Sequence, residues 1–153
     1  MGVVYGLNVR PIKDLAIRVS GSNAQHTYID YVERGTEYYG NLMNAAPSFI
    51  ANGEITYKPS KITGLRLALE VQHVGPYFMD PGNEKEYAGF TIFNARAGYN
   101  WNGFEAWFHV LNLADELYAT RATSARWGDS YTPGNPRTFN VGIGYRFTGK
   151  AKS

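Results

Sequence analysis

Glu105 and His109 stand four residues apart in "FEAWFHVL" (104–111). A carboxylate and an imidazole are the side chains most often used to move a proton or hold a metal. The spacing argues against both uses. The stretch alternates polar and apolar residues, so it reads as a strand, and four residues along a strand span roughly 13 Å. That is too far for one metal shell. The other histidines, His26 and His73, have no ligand spacing to it. The chain has no cysteine, which removes thiolate metal sites, disulfides and a cysteine nucleophile. No nucleophile–base set appears, so neither an enzyme nor a bound metal or cofactor is expected.

Binding is the better use of the remaining candidates. The stretch "ATRATSARWGDSYTPG" (119–134) carries Arg121, Arg126, Trp127 and Tyr131. Guanidinium forks suit anionic oxygens, and indole or phenol rings stack on planar groups. Exposed arginines meeting solvent or lipid phosphates are the plainer reading, and both stay open. Arg66, Glu70, Arg96, Glu105 and His109 fall on the polar side of alternating segments. They either pair across neighbouring strands or meet a ligand.

These residues must be positioned by strands, because period-two alternation recurs while helical spacing is weak. Seven strands are expected: Val3–Val9, Leu15 to about Thr27, Phe49–Lys58, Leu65–Val74, Phe90–Trp101, Phe104–Leu111 and the last within Asn135–Phe147. In the last, Phe139, Val141, Ile143, Tyr145 and Phe147 alternate without a miss against Asn140, Gly142, Gly144 and Arg146. The connections alternate as well. "PIKD" (11–14), "PSKITG" (59–64) and "NWNG" (100–103) are short turns. Tyr28–Ser48, Gly75–Gly89 and Asn112–Asn135 are long and irregular. "TPGNP" (132–136) punctuates the approach to the last strand. An antiparallel meander puts all short turns at one end and all long loops at the other, which is the layout of outer-membrane barrels.

Composition fits strands in a membrane. Tyr (12) and Gly (17) are abundant among the 153 residues, and Tyr favours strands. Mean hydropathy is −0.35. No apolar run approaches the ~18 residues of a membrane helix, but a barrel strand needs only alternate residues apolar. Several strands reach the ~9–11 residues that cross a bilayer with tilt. Aromatics near the short turns (Tyr57, Trp101, Phe104, Phe147) and near the long loops (Tyr77, Phe78, Phe90, Tyr118) would form two interfacial girdles. A net charge of +2 is no footprint for nucleic acid. The N-terminus lacks the pattern of a signal peptide and reads as a strand already under way. Alternation alone leaves a soluble β-sandwich binding module open.

The last third resembles the C-terminal end of TonB-dependent outer-membrane receptors. The family pattern is a strand ending Gly-Tyr, a tight turn, a strand running into Asn-Leu-x-Asp-x-x-Tyr, a long loop, Pro-Gly-x-Pro-Arg, and a final strand ending in Phe. Gly98–Tyr99, Asn112–Leu113, Asp115, Tyr118, Pro133–Gly134, Pro136–Arg137 and Phe147 fall on those positions. The resemblance implies an all-β segment of about seven strands (1–147) from a 22-stranded transporter barrel; the short polar tail at 148–153 departs from the family pattern, which commonly stops at the terminal Phe. It implies that Phe147 is the signal read by the barrel-assembly machinery. It places the chain in the outer membrane of a Gram-negative-type bacterium. The plug and the TonB box would lie elsewhere, so the seven strands alone should not transport. In the whole receptor the loops and plug would bind a scarce ligand, most commonly a ferric siderophore, and the TonB complex would drive uptake. Inward charges would then meet substrate or plug, or pair in a ladder. A passive porin-like channel is the rival transport reading.

Overall fold

A computed structural model describes residues 1–147. The 148–153 tail lies outside the described residues. Among the described residues there are thirteen strands and no helix. Seven long strands form one sheet: β1 (Gly2–Ile12), β2 (Leu15–Ala24), β5 (Phe49–Tyr57), β6 (Leu65–Val74), β9 (Phe90–Trp101), β10 (Phe104–Leu111) and β13 (Thr138–Tyr145). The remaining six pair as small hairpins inside the long connections: β3 (Val32–Glu33) with β4 (Thr36–Glu37), β7 (Tyr77–Phe78) with β8 (Glu86–Tyr87), and β11 (Ala119–Ala125) with β12 (Gly128–Pro133). The connections expected to be irregular therefore each contain a short hairpin, and are otherwise turns and irregular backbone.

The sheet order is β1-β2-β5-β6-β9-β10-β13, and every neighbouring pair is antiparallel. Register carries the alternation of one strand to the next. Val9 faces Ile17, Ile17 faces Ile55, Ile55 faces Leu69, and Leu69 faces Ala95. Ala97 faces Phe108, and Phe108 faces Val141. Paired residues share a face. One face thus runs Leu7, Val9, Ile17, Val19, Ile55, Tyr57, Leu67, Leu69, Phe93, Ala95, Tyr99, Phe104, Phe108, Phe139, Val141, Ile143 and Tyr145. It holds no Asp, Glu, Lys or Arg. The opposite face carries Arg18, Ser20, Asn52, Glu54, Arg66, Glu70, Gln72, Asn94, Arg96, Glu105, His109 and Asn140.

Among the described residues, nothing lies over the apolar face. Ile143 is 82% exposed and Val141 75%. In a soluble sandwich these side chains would sit against a second sheet; no second sheet covers them among the described residues. An apolar surface of this extent needs a partner or a lipid phase.

Local chemistry sets the strand ends. Asn102 (φ 47°) and Gly103 (φ 86°) make a two-residue turn whose left-handed backbone matches sheet twist. Asp14, between β1 and β2, ties the next short turn: its carboxylate accepts from the Ser60 amide at 2.8 Å and from the Ser60 hydroxyl. Those bonds hold the Asp14 carboxyl below the usual carboxylate range. β1 runs to Ile12, past the expected end at Val9. The register shifts between Val9 and Ile12, and an irregularity on an edge strand is where proline is tolerated, so Pro11 does not end the strand. β2 stops at Ala24, short of Thr27; the Ala24 amide makes the last bond toward β5, to the Ser48 carbonyl. Thr27 instead makes an isolated bridge to Leu42.

Candidate functional site

Two places gather polar side chains: the polar face of the sheet, and the long-loop end.

On the polar face, strand pairing brings Glu54 opposite both Arg18 and Glu70. Two carboxylates directly opposite repel, and arginines offset them. Arg96 Nη2 lies 2.9 Å from Glu70 Oε2, and Arg66 Nη2 lies 3.8 Å from Glu54 Oε1. Thr56 Oγ1 donates to Glu54 Oε1 at 2.8 Å. Arg66, Glu70 and Arg96 thus join a cross-strand ladder with Glu54. Arg66 and Glu70, four apart on one strand, do not pair with each other. Glu105 sits apart, opposite Asn100 and Gly144, with no ion pair among the described residues. His109 is opposite Arg96 and Asn140, and its ring lies 4.6 Å from that of Trp107. Trp107 has glycine on both sides, Gly98 and Gly142. A Cβ on Gly142 would sit 2.3 Å from the indole, so the ring lies over that glycine. Glu105 and His109 do not converge on a shared site.

At the long-loop end, a polar junction joins the exit of β10 to the start of β13. Asn112 is 2% exposed and in left-handed backbone (φ 50°). Its side-chain nitrogen donates to the Glu116 and Asn135 carbonyls at 2.9 and 3.0 Å, and its oxygen accepts from the Glu116 amide at 2.9 Å. Asp115 accepts from the Arg137 amide at 2.9 Å, and Arg137 Nη2 lies 3.5 Å from its other oxygen. The Tyr118 ring covers Gly134, where a Cβ would come within 2.2 Å, and stacks near Phe90 at 4.5 Å. Most of the residues that carry the family resemblance, Asn112, Asp115, Tyr118, Gly134 and Arg137 among them, are this junction: they set how the last loop leaves and re-enters the sheet.

The three hairpins are knit into one module. Leu42 and Asn83 exchange two bonds of 2.8 Å, and Asn41 Nδ2 donates to the Pro81 carbonyl at 2.9 Å. The Tyr77 hydroxyl accepts from the Ala122 amide at 2.7 Å, and the Tyr87 hydroxyl from the Ala119 amide at 2.8 Å. Lys85 Nζ lies 2.7 Å from Asp129 Oδ1. Tyr77, Met79 and Ala122 are buried together, with Ala45 and Tyr87 against them. Burial pushes the Tyr77 hydroxyl above its ordinary pKa.

This corrects the expected outer girdle. Tyr77 is a core residue of the loop module. Phe90 pairs with Val74, which shares the face of Arg66 and Glu70, so its ring leaves the apolar surface for Tyr118. At the short-turn end Phe104, Tyr145 and Phe147 do form an aromatic group, with ring separations of 4.5 and 4.6 Å. Phe147 lies two residues past the end of β13, its ring 86% exposed.

The four loop candidates are split. Tyr131 faces Ala122 in the hairpin and turns toward the module core, its hydroxyl 4.0 Å from the Met79 sulfur. Arg121, the neighbouring position, projects from the other face with Thr132. Arg126 and Trp127 sit at the hairpin tip and line a cleft of about 660 Å³. The rest of its wall was missed by sequence reasoning: Glu33, Arg34 and Tyr38 from the first long loop, and Asp80, Glu84 and Lys85 from the second. Their only sequence signal was membership of a long connection.

No protein-family model and no curated protein sequence matches the chain. Solved structures do. The chain superposes on the ferric yersiniabactin uptake receptor FyuA from Yersinia pestis with a TM-score of 0.78 and 18% identity over 96% of its length. It superposes on the siderophore receptor PiuA from Acinetobacter baumannii with a TM-score of 0.74 and 20% identity over 94%. The ferric preacinetobactin receptor BauA from the same organism gives 0.73 and 17% over 94%. The chain spans about a fifth of those proteins' length, 23%, 21% and 21% in turn. The fold is that of a seven-strand portion of a large TonB-dependent receptor barrel.

Proposed function

We propose that this chain is a C-terminal barrel portion of a TonB-dependent outer-membrane receptor for uptake of a scarce ligand, with a ferric siderophore as the ligand class. The observation that carries it is the two-faced sheet: seven strands with no Asp, Glu, Lys or Arg on one face and an ion-paired ladder on the other. Lipid meets the first face; the barrel interior holds the second. The likeness of fold to siderophore receptors supports the ligand class. In this reading the long-loop end is extracellular, and the short turns are periplasmic. Arg126 and Trp127 are the ligand-contacting residues, with Arg121 at the margin and Tyr131 supporting the hairpin. The Glu54–Arg66 and Glu70–Arg96 pairs line the lumen, with Glu105 and His109 open to whatever fills it. Phe147, two residues past the end of β13, is the aromatic read by the barrel-assembly machinery. The TonB complex acts through the whole receptor.

The test is uptake of radio-iron chelates by cells expressing the receptor that contains this segment, with and without TonB. TonB-dependent accumulation supports the reading. Accumulation that is non-saturable and indifferent to TonB would replace it with a passive channel.

A further inference from the structure

We propose that the cleft between the three extracellular hairpins selects a ligand of mixed charge that carries an aromatic ring, over a compact polyanion. The inference rests on the receptor reading above and names its ligand chemistry.

The cleft is preorganised. The loops that form it are tied together by the Leu42–Asn83 bonds between the first and second and by Lys85–Asp129 between the second and third. Its volume of about 660 Å³ falls within the roughly 300–1,000 Å³ of small-molecule sites. Two of its charged groups are already engaged. Asp80 accepts from the amides of Lys85 and Glu84 at 2.8 and 3.2 Å, and the Lys85 ammonium is held by Asp129.

Four charges then remain for a ligand. Arg34 and Arg126 have no ion pair among the described residues, and neither do Glu33 and Glu84. Glu33 has only the Tyr31 hydroxyl at 3.5 Å. Arg34 is held at its tip by a left-handed turn with Gly35 (φ 53° and 85°). Trp127 is 86% exposed. It presents an indole face that a planar ring would desolvate. Two free cations and two free anions make a cleft with no net pull on a polyanion. A ligand with a carboxylate for the arginines and an ammonium for the glutamates matches both.

Three probes share one catechol ring and differ in charge at pH 7: 3,4-dihydroxyphenylalanine (zwitterion), 3,4-dihydroxybenzoate (anion) and dopamine (cation). Each is titrated against the protein in detergent micelles. Trp127 fluorescence is isolated by Trp101→Phe and Trp107→Phe, both remote from the cleft. The zwitterion should bind about tenfold more tightly than either other probe, the scale of one charge-assisted hydrogen bond. Arg126→Ala should bring the zwitterion down to the level of dopamine, and Glu84→Gln down to the level of the benzoate. Equal or tighter binding of the anion would overturn the proposal. So would the absence of saturable quenching in protein whose β-sheet circular dichroism is intact. TonB-dependent iron uptake without this charge preference would remove the ligand inference and leave the receptor reading standing. The preference without TonB-dependent uptake would do the reverse.

Discussion

An arginine placed along β13 reads the membrane directly. Tyr145 pairs with Phe104 in the aromatic group at the short-turn end, which marks one edge of an apolar band about 25 Å tall. Each pair of residues advances roughly 7 Å along a strand, or about 5 Å in depth at a tilt near 45°. Ile143 is then about 8 Å from the mid-plane and Val141 about 3 Å. Val141 is level with Phe108 and Ala97, near the middle of β9. An arginine costs about 2–4 kcal/mol at the mid-plane and about 0–1 at the interface. Val141→Arg should therefore cost about 2–4 kcal/mol, and Ile143→Arg about half of that. Gly144→Arg should cost close to nothing, since that position lies on the polar face, the lumen side in the proposed reading, and a Cβ there meets no atom within 4 Å. The assay is urea unfolding of the receptor in phospholipid vesicles, followed by tryptophan fluorescence. Costs that do not fall from Val141 to Ile143 to Gly144 would refute the inside–outside assignment. A larger cost at Gly144 than at Val141 would invert it.

The loop junction should be sensitive out of proportion to its size. Asn112→Ala removes three hydrogen bonds to backbone groups of Glu116 and Asn135, and should destabilise by about 1–3 kcal/mol in the same assay. Gly134→Ala forces a Cβ into the Tyr118 ring; a double-mutant cycle should show that Tyr118→Ala relieves most of its cost. Asp129 has its carboxyl held below the usual range, chiefly by Lys85 and then by Ser124. A depressed carboxyl contributes stability above its unfolded pKa and loses it as pH falls through the folded one. Hydrogen-exchange protection factors in 77–87 and 119–133, corrected for the intrinsic rate, should therefore hold from neutrality through the ordinary carboxylate range and fall below it. Asp129→Asn should lower protection at every pH.

The seven-strand sheet was legible because each long strand alternates on its own, and the register of one face then follows from apolar residues meeting apolar residues. β6, β9 and β10 have the ends read from the sequence, each bounded by glycine, proline or asparagine turns. The loop hairpins were not legible. β3, β4, β7 and β8 are two residues each, too short for any periodic signal, and they are held by long-range bonds such as Leu42–Asn83 that no local pattern announces. The same gap explains the site. Arg126 and Trp127 could be chosen by residue type, but Tyr131 was turned toward Met79 by a hairpin register that local composition does not carry. Arg34 and Glu84 join the cleft only through loop packing. The resemblance motif, in contrast, has a physical account: Asn112, Asp115, Tyr118, Gly134 and Arg137 interlock.

The absence of cysteine makes single-cysteine labelling of intact cells the most direct test of the outer-membrane assignment. Arg126→Cys, at the tip of the third hairpin, and Lys61→Cys, in the turn between β5 and β6, are treated with a membrane-impermeant maleimide. Labelling of Arg126→Cys in intact cells, and of Lys61→Cys only after the outer membrane is opened, is the predicted result. Labelling of Lys61→Cys alone in intact cells, or recovery of the protein in a soluble fraction, would contradict the account.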